Sequence, residues 1–285
     1  MFLKIYVKSI NFSAMLNISI VLYRPNSMQL QALLKEIVKV KCLNRIYLID
    51  NSPMKSSEFV LSDKIRYIFN EGRNLGYGKG HNIAIRESIY DGIDFHLVMN
   101  ADVVVHAEDI DAMHHFIEHE PLVGQLIPRV IYPDGSLQYV AKLLPTPLDV
   151  FGRRFLPEFL MRRRNARYEL QQANHDKPFN APSLSGCFMF MRTKAVLQAH
   201  LFDERYFLYP EDVDLTRSIH KDWLTIYWPA VTIVHHHARG SYKSWHLLWV
   251  HIVNMCRYFN KWGWFFDPER RRMNKETLAS IKPHE

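Results

Sequence analysis

The stretch "NISIVLYRPNSMQLQALLKEIVKVKCLNRIYLIDNS", residues 17–52, decides the fold, because it places a strand, a helix and a second strand in succession. Residues 17–23 are a β-branched apolar run that an Arg-Pro pair closes. Residues 27–40 carry leucine, isoleucine and valine at helical spacing, with Ser27 as the candidate N-cap. Residues 45–52 form the next apolar run. This order predicts a strand-helix-strand unit with parallel strands.

The same alternation continues along the first half of the chain. Residues 65–70 predict a third strand, residues 78–90 a helix, and residues 95–105 a fourth strand that polar residues interrupt. We therefore predict an α/β fold with a Rossmann-like, mostly parallel central sheet flanked by helices. Ligands of such sheets bind at the carboxyl ends of the strands.

The second half follows a different pattern. Residues 126–140 predict a hairpin around a Pro-Asp-Gly turn, and the basic residues 150–180 predict a surface excursion or lid. Residues 183–198 predict a turn, an apolar strand and the start of a helix. Residues 224–242 predict a strand that ends in three histidines.

The composition is that of a globular protein with an excess of basic residues. The 285 residues carry a net charge of +7 and have a pI of about 9.2, which indicates an anionic partner: nucleic acid, a phosphate-bearing substrate or a membrane surface. Much of the excess lies in residues 153–167 and 270–272. The three cysteines are far apart, so we expect neither a disulfide framework nor a cysteine zinc site, and a cytoplasmic location fits. No apolar run approaches the roughly 18 residues of a membrane span.

Polar residues end or interrupt two of the predicted strands. Asp50 closes the second strand, and Asn100 and Asp102 break the fourth. Each position alone also fits an ordinary turn. Because both fall at strand ends of one predicted sheet, together they favour a binding site.

The glycine-rich stretch "NEGRNLGYGKGHN", residues 70–82, precedes a predicted helix. Its glycine spacing fits neither the dinucleotide fingerprint nor the phosphate loop. Exposed N–H groups together with the cations Arg73 and Lys79 suit an anion such as a diphosphate. The alternative is a connection whose glycines serve packing.

Three consecutive histidines, residues 235–237, end the last predicted strand. Alternate residues of a strand face opposite sides, so at most two of the three share a face. One of them would complete an oxygen-rich metal site with Asp102. The alternative is a surface or core histidine.

The stretch "FLYPEDVDLTRSIH", residues 207–220, places acids at the start of an amphipathic helix. Glu211 and Asp212 follow a proline, and Asp214 comes two residues later. Acids in a first turn stabilise a helix by a few tenths to about 1 kcal/mol, so capping alone would explain them. The functional alternative is a carboxylate that takes a proton from a substrate hydroxyl.

Together these motifs resemble the family 2 glycosyltransferases, and specifically their rhamnosyltransferase-like group with a GT-A fold. The resemblance extends in order over roughly residues 17 to 268. The similar stretches are "ISIVLY", "YLIDNSP", "NLGYGKGHNIAI", "MNADVVV", "SGCFMFMRTKA", "FLYPEDVDL" and "IVHHHARGSYKS".

The resemblance implies an inverting transfer of a sugar from a nucleotide-sugar, either dTDP-rhamnose or a UDP-sugar. The acceptor would be a hydroxyl of a glycan or a lipid-linked glycan in cell-surface polysaccharide synthesis. It also implies a divalent metal, Mg²⁺ or Mn²⁺, on the donor diphosphate. We accordingly expect four segments: an N-terminal extension, a nucleotide-sugar-binding half, an acceptor-binding and catalytic half, and a helical aromatic and basic segment. They are residues 1–14, 15–124, 125–243 and 244–285. A start assigned upstream of Met15 would also explain the extension.

The resemblance assigns roles residue by residue. Asp212 is the general base, and Glu211 beside it positions the acceptor or the base. Asp50 binds the base or ribose of the donor, whereas Asp102 and His235 hold the metal. The full donor-binding set is Tyr23, Asp50, Arg73, Asn74, Gly76, Lys79, Asn82, Asn100 and Asp102.

One position departs from the stricter metal motif of this family, because Asn100 stands where that motif has aspartate. Fewer negative ligands weaken metal affinity, so we expect a less strict metal dependence.

Two other functions compete with this interpretation. A sugar-1-phosphate nucleotidyltransferase would need a glycine- and arginine-rich loop after the first strand, where this chain has "LYRPNSM". A basic nucleic-acid-binding protein would use the cations of residues 153–167, but it leaves the acidic residues unexplained. We therefore expect no nucleic-acid partner.

The C-terminal residues 244–272 combine tryptophan, phenylalanine and arginine. They predict either a helix packed on the domain or an interfacial anchor to an anionic membrane surface. The resemblance favours a peripheral position at the inner face of the cytoplasmic membrane. The sequence leaves the oligomeric state open.

Overall fold

The computed structural model describes residues 13–55, 62–236 and 245–281. Its strands are β1 (Ser13–Leu22), β2 (Leu43–Asp50), β3 (Ile65–Phe69), β4 (Ile93–Met99), β5 (Val103–Val104), β6 (Val123–Ile131), β7 (Ala141–Lys142), β8 (Phe179–Asn180), β9 (Ser183–Leu184), β10 (Phe188–Arg192) and β11 (Leu224–His235). Its helices are α1 (Ser27–Ile37), α2 (Tyr77–Tyr90), α3 (Ala107–His119), α4 (Arg153–Phe155), α5 (Glu158–Tyr168), α6 (Thr193–Gln198), α7 (Glu211–Ile219), α8 (Trp245–Trp262) and α9 (Pro268–Ser280). A π-helical turn spans Leu148–Gly152.

The main sheet has the order β3-β2-β1-β4-β10-β6-β11-β5, with β8 also paired to β11. Strands β1 to β4 are parallel, as the strand-helix alternation predicts. Strand β10 runs antiparallel to both β4 and β6, whereas β6 and β11 are parallel to each other. The α/β fold is confirmed, but the second half contributes more antiparallel pairing than we expected.

Helices cover both faces of this sheet. On one face, α1 and α3 pack over Leu97 and Met99 of β4 in the main hydrophobic core. On the other face, α2, α6 and α7 pack over Val98 of the same strand. Both faces of the central strands are therefore buried, which explains why these strands are continuous apolar runs rather than alternating ones.

The first helix begins where the sequence predicts, but a different residue caps it. Asn26 Oδ1 accepts from the backbone N–H groups of Met28 at 3.1 Å and Gln29 at 3.2 Å. Ser27 is the first helical residue, so the prediction of Ser27 as N-cap is wrong. Asparagine in the preceding extended position satisfies the free N–H groups of the first turn.

The predicted hairpin after β6 is minimal. Its return arm forms a single bridge between Ile131 and Leu137 and no further named strand among the described residues. The basic excursion folds into the π-helical turn, α4 and α5. Its movement as a lid stays a prediction. Strand β1 already begins at Ser13, within the expected extension of residues 1–14.

The C-terminal helices are anchored to α7. Arg217 of α7 is 1% exposed and donates to both carboxylate oxygens of Asp267 at 2.8 Å. Asp214 accepts from Lys261 at 2.7 Å and from the indole of Trp262 at 2.6 Å. The C-terminal segment therefore supports the helix that begins with the paired acids. Within residues 13–55, 62–236 and 245–281, no helix has the length and apolar character needed to cross a membrane.

Candidate active site

The paired acids lie at the first turn of α7 and differ in environment. Asp212 lines a cavity of about 300 Å³, whereas Glu211 is buried. Oδ2 of Asp212 accepts from the backbone N–H of Gly186 at 2.8 Å, and Oδ1 accepts from that of Val213 at 2.9 Å. Asp212 thus accepts one hydrogen bond within the first turn of α7 and one from a distant segment, and it still lines the cavity.

Burial raises the pKa values of both acids. The charge of Asp212 adds to the effect of burial on the pKa of Glu211. For Asp212, hydrogen bonds from Gly186 and Val213 and the charge of Lys142 oppose the upward shift of the pKa. A raised carboxyl pKa makes a better proton acceptor near neutral pH. Among the described residues, no group hydrogen-bonds to Glu211 Oε2, which fits a buried carboxyl group that is protonated.

The glycine-rich segment docks against the loop before these acids. Gly76 has φ +82°, and a Cβ there would lie 2.3 Å from the carbonyl oxygen of Phe207. The next residue, Tyr77, donates its backbone N–H to that same oxygen at 3.0 Å. Asn74 Oδ1 accepts from the N–H of Gly76 at 3.0 Å. The packing alternative for Gly76 therefore has direct support, because only glycine permits this approach.

The end of β2 holds the other side of the glycine-rich segment. Asn51 Nδ2 donates to the carbonyl of Gly76 at 3.0 Å. Asp50, immediately before it, is fully buried and accepts from Ser52 N–H at 2.9 Å and from the hydroxyl of Tyr67. Both carboxylate oxygens of Asp50 are thus buried and hydrogen-bonded within the chain, and its contact with the nucleoside stays a prediction.

The other predicted donor-binding residues are distributed unevenly. Tyr23 is 52% exposed at the end of β1, and Arg73 is exposed beside Glu71. Lys79 instead lies 3.7 Å from Glu204, and Asn82 exchanges two hydrogen bonds with the backbone of Phe202. Tyr23 and Arg73 therefore lie on the open surface. Lys79 and Asn82 contact the loop that contains Phe202 and Glu204.

Asn82 and Glu204 also line a separate pocket, together with Lys261 and Trp262. The structure therefore does not bring Asn82 to the Asp212 cavity. Its buried amide, 1% exposed, supports the loop that leads to the paired acids.

Asp102 and His235 meet at the edge of the sheet, as the strand ends predict. His235 Nε2 lies 3.4 Å from Asp102 Oδ1 and 3.3 Å from Asn100 Nδ2. Gln138 donates its amide N–H to the carbonyl of His235 at 2.8 Å, so its oxygen faces His235 Nδ1 at 3.0 Å. That contact places hydrogen on Nδ1 and leaves Nε2 directed at Asp102.

This pair fits a divalent metal in chemistry and spacing. Oxygen and imidazole ligands about 2.1 Å from an ion stand roughly 3 Å apart when they are neighbours in its coordination shell. Burial lowers the pKa of His235, but hydrogen bonds with Asp102 and Cys187 outweigh it and raise the pKa to about 10. A bound metal would take the place of that proton.

The other two histidines of the triplet have different positions. His236 is exposed, and its backbone N–H donates to the carbonyl of Asp102 at 3.0 Å. His237 lies outside the described residues. Of the described part of the triplet, His235 is the side chain that meets Asp102.

Comparison with known proteins identifies the family. Residues 54–258 match the profile described as "Glycosyltransferase like family 2". The chain belongs to this family. The predicted resemblance is therefore confirmed at the level of the family.

One relative of this family 2 protein has a stated activity. This chain is similar to the N-acetylglucosaminyl-diphospho-decaprenol L-rhamnosyltransferase of Mycobacterium tuberculosis, with 33% identity over 189 residues. The match covers 62% of this chain and 61% of the relative, so the chain spans under two thirds of that protein's length.

Two solved structures share the fold of the family 2 protein. GalNAc-T7, solved with UDP, GalNAc and Mn²⁺, has a TM-score of 0.55 and 13% identity, covering 78% of this chain and 43% of that chain. The mannosyltransferase PcManGT of Pyrobaculum calidifontis, solved with GDP-Man and Mn²⁺, has a TM-score of 0.52 and 12% identity, covering 93% of this chain and 74% of that one. At these identities the likeness concerns the fold alone, and it confirms the GT-A prediction.

Sequence reasoning missed the residue that joins the parts of this family 2 site. The hydroxyl of Tyr77 donates to the carbonyl of Gly186 at 2.5 Å. Burial, followed by the charges of Glu211, Asp212 and Asp102 among nearby groups, raises the pKa of Tyr77 well above its usual value. Tyr77 thus contacts the glycine whose backbone N–H binds Asp212, and the carbonyl of the next residue, Cys187, accepts from the N–H of Asn100 at 3.0 Å. Its place within the glycine-rich segment is the sequence signal that points to it.

Proposed function

We propose that this protein is an inverting glycosyltransferase that moves a sugar from a nucleotide-sugar to a hydroxyl of a glycan or lipid-linked acceptor in cell-surface polysaccharide synthesis. The observation that carries the proposal is a pair of backbone contacts at the neighbouring residues Gly186 and Cys187. Gly186 donates its N–H to Asp212, which lines the cavity, at 2.8 Å. The carbonyl of Cys187 accepts at 3.0 Å from the backbone N–H of Asn100, whose side-chain amide lies 3.3 Å from His235 Nε2. A proton acceptor and a site for diphosphate charge are thereby adjacent, which is what a single displacement requires.

Asp212 acts as the general base of this reaction. The acceptor oxygen forms a bond to the anomeric carbon as the bond from that carbon to the donor diphosphate breaks. The proton of the acceptor hydroxyl passes to Asp212, and the nucleoside diphosphate leaves with the electron pair of the broken bond. One displacement inverts the anomeric centre, so no second nucleophilic carboxylate is needed.

Glu211 is a positioning residue in this scheme. Its buried carboxyl lies beside Asp212, and its raised pKa keeps a second negative charge away from the base. A single charged carboxylate at the start of α7 is also favoured by the helix dipole.

The donor side of the site lies at the strand ends. Asp102 and His235 would hold a divalent metal, Mg²⁺ or Mn²⁺, which when bound stabilises negative charge on the diphosphate. Asn100 contributes an amide beside His235, and the hydrogen bond from Gly76 to Asn74, both of which we propose as donor contacts, shapes the glycine-rich segment. Tyr23, Asp50 and Arg73 would contact the rest of the nucleotide. Lys79 and Asn82 stay predicted donor contacts, although their partners in this structure lie in the loop of Phe202 and Glu204.

The relative's name guides the choice of substrates. An L-rhamnosyltransferase that acts on N-acetylglucosaminyl-diphospho-decaprenol is similar to this chain. We therefore propose dTDP-rhamnose as the first donor to test, with UDP-sugars second, and a diphosphate-linked N-acetylglucosaminyl lipid as the acceptor.

A direct assay tests this function. The purified protein is incubated with each donor, Mn²⁺ and an alkyl-diphosphate N-acetylglucosamine acceptor, and the product is analysed by mass spectrometry and NMR. We expect acceptor-dependent release of nucleoside diphosphate and inversion at the anomeric carbon. Retention of configuration would contradict the mechanism. The absence of both transfer and donor-induced thermal stabilisation with every donor would contradict the function.

The surface around the cavity favours a peripheral membrane position. Leu248 and His251 of α8 line the cavity, and the neighbouring Trp245 and Trp249 are 87% and 67% exposed. Phe159 of α5 is 77% exposed in the basic excursion. Exposed aromatic side chains with adjacent arginines are typical of surfaces that bind anionic lipid. We propose that the protein approaches the inner face of the cytoplasmic membrane by this surface.

A further inference from the structure

The cavity that Asp212 lines also contains a cluster of cations. Lys142, Arg153 and Arg154 line it, although they come from β7 and from the start of the basic excursion. The charge of Lys142 lowers the pKa of Asp212, and the charge of Asp212 in turn raises the pKa of Lys142 against the larger effect of burial. The cations and the proposed base therefore share one small space.

Two acids lie close to these cations. Glu169, outside the lining, accepts from Lys142 at 3.4 Å and also from Arg153. Asp149, which is part of the lining, accepts from Arg164 Nε at 2.6 Å. Among the described residues, the cavity lining thus carries three cations, Lys142, Arg153 and Arg154, and two carboxylates, Asp149 and Asp212.

We propose that this cavity binds an acceptor that carries a phosphate or diphosphate group next to its reacting sugar, and that Lys142, Arg153 and Arg154 hold that group. This inference rests on the proposed function, because it takes Asp212 as the base that faces the acceptor hydroxyl. It adds to that function an electrostatic requirement on the acceptor and the residues that impose it.

The chemistry and size of the cavity both fit such a group. Arginine presents several N–H donors in a planar fork that suits phosphate oxygens, and lysine adds a point charge. A volume of about 300 Å³ lies at the small end of ligand sites, which suits one sugar with its phosphate rather than a long glycan. The anionic group would be distinct from the donor diphosphate, whose proposed place is beside Asp102 and His235.

The competing explanation is that these cations only close an ion-pair network around Glu169 and hold the excursion in place. That explanation predicts a loss of stability when a cation is removed, but no discrimination between charged and neutral acceptors. The two explanations therefore separate in a binding experiment.

The test compares two acceptors that differ only in charge. They are N-acetylglucosamine linked through a diphosphate to an octyl chain and the neutral octyl glycoside of the same sugar. Affinities are measured by calorimetry on the whole protein without donor, for wild type and for Arg154→Gln and Arg153→Gln. The matched control is Arg163→Gln, which removes the same charge from an exposed position of α5 outside the cavity lining. Inorganic diphosphate is the third ligand, because it separates a sugar-linked group from a free anion.

We expect wild type to bind the diphosphate-linked compound at least tenfold more tightly than the neutral glycoside, which is the order of effect that charge-assisted hydrogen bonds produce. Arg154→Gln and Arg153→Gln should lose most of that difference, while their affinity for the neutral glycoside and their nucleotide-sugar affinity stay near wild type. Arg163→Gln should behave as wild type.

Three results would overturn the proposal. They are equal affinity for the two octyl compounds, equal losses in the Arg154→Gln and Arg163→Gln proteins, and inorganic diphosphate binding as tightly as the sugar-linked compound. The proposed function fails by a different measurement, the absence of nucleotide-sugar binding and transfer, so the two failures are distinguishable.

Discussion

The backbone N–H of Gly186 donates to Oδ2 of Asp212 across 2.8 Å, and a Cβ at position 186 would lie 3.1 Å from the Cβ of Asp212. The carbonyl of the same glycine accepts the hydroxyl of Tyr77. The proposed base is therefore oriented by backbone from the segment before β10, which Tyr77 in turn fixes. Its direction does not depend on α7 alone.

The close approach at Gly186 predicts the effect of adding one methyl group there. In Gly186→Ala, Asp212 must shift by a few tenths of an ångström, because a Cβ contact of 3.1 Å is tighter than ordinary packing. We expect turnover to fall by about tenfold or more, since small displacements of reacting groups are costly. Donor affinity and melting temperature should change little. Steady-state kinetics and thermal unfolding measure these quantities, and full turnover in this variant would show that the contact does not position the base.

Asp212→Asn should abolish most transfer. The substitution removes the proton acceptor, so turnover should fall by roughly 10²–10⁴-fold while donor affinity stays near wild type. The amide has one acceptor oxygen for two backbone donors, those of Gly186 and Val213, so a stability loss of about 1–2 kcal/mol accompanies the effect. Turnover is therefore compared per folded molecule.

Glu211→Gln is the matched control for Asp212→Asn. Because the raised pKa of Glu211 favours its neutral form, the amide closely mimics the native group and the loss of turnover should be milder. Near wild-type turnover in Asp212→Asn, or a larger loss in Glu211→Gln, would refute the assignment of Asp212 as base.

Asp102→Ala should weaken nucleotide-sugar binding much more with metal than without it. Its carboxylate lies 3.4 Å from His235 Nε2 and would bind the metal with a negative charge, whereas Asn100 in the same motif is neutral. Calorimetry with and without Mn²⁺ measures the difference. An equal loss of affinity in both conditions would mean that Asp102 is not a metal ligand.

The exposed aromatic surface predicts salt-sensitive membrane association. Wild-type protein should sediment with anionic vesicles at low salt and be released at high salt, because lipid charge attracts the basic excursion. The Trp245→Ala/Trp249→Ala double variant should sediment less, whereas Tyr90→Ala, an aromatic loss at an equally exposed position of α2, should not. Sedimentation of the double variant at the wild-type level would exclude α8 as the anchor.

Buried histidines predict a loss of stability in acid. Burial lowers the pKa of His96 to about 3 and that of His220 to about 4, whereas both titrate near 6.5 when unfolded. The unfolded chain therefore binds more protons at these two positions as the pH falls, so the contribution of His96 and His220 to stability is complete above about pH 6.5 and is lost below it. Each histidine contributes up to about 1.4 kcal/mol per pH unit.

Urea unfolding between about pH 6.5 and pH 5.5 measures this effect, because His235, with its pKa raised to about 10, changes stability only above this range. The His96→Gln variant should show a shallower dependence on pH, although it also loses hydrogen bonds to Ser19 and Ser88, each 2.8 Å long. A free energy of unfolding that stays constant over this range would contradict the neutral, buried state of these histidines.

Much of the fold could be predicted because it depends on local patterns. In residues 17–52 and 65–105 the spacing of apolar residues follows the geometry of a helix or a strand. That geometry is set within a few neighbouring residues, so the sequence reveals it. The reversal of β10 was not predictable in this way. Its apolar run reads the same in either direction, and its orientation depends on the distant strands β4 and β6 between which it lies.

In the candidate site, too, the features set by local sequence were predictable and those set by distant contacts were not. The sequence by itself determined the family, the acids Glu211 and Asp212 at a helix start, and the pairing of strand-end groups such as Asp102 and His235. Only the tertiary structure decided that Lys79 and Asn82 turn towards the loop of Phe202 and Glu204, and that cations from β7 and α4 share a cavity with Asp212. Motifs record residues close along the chain, whereas these contacts join segments far apart in it, and they form only when the packed core brings those segments together.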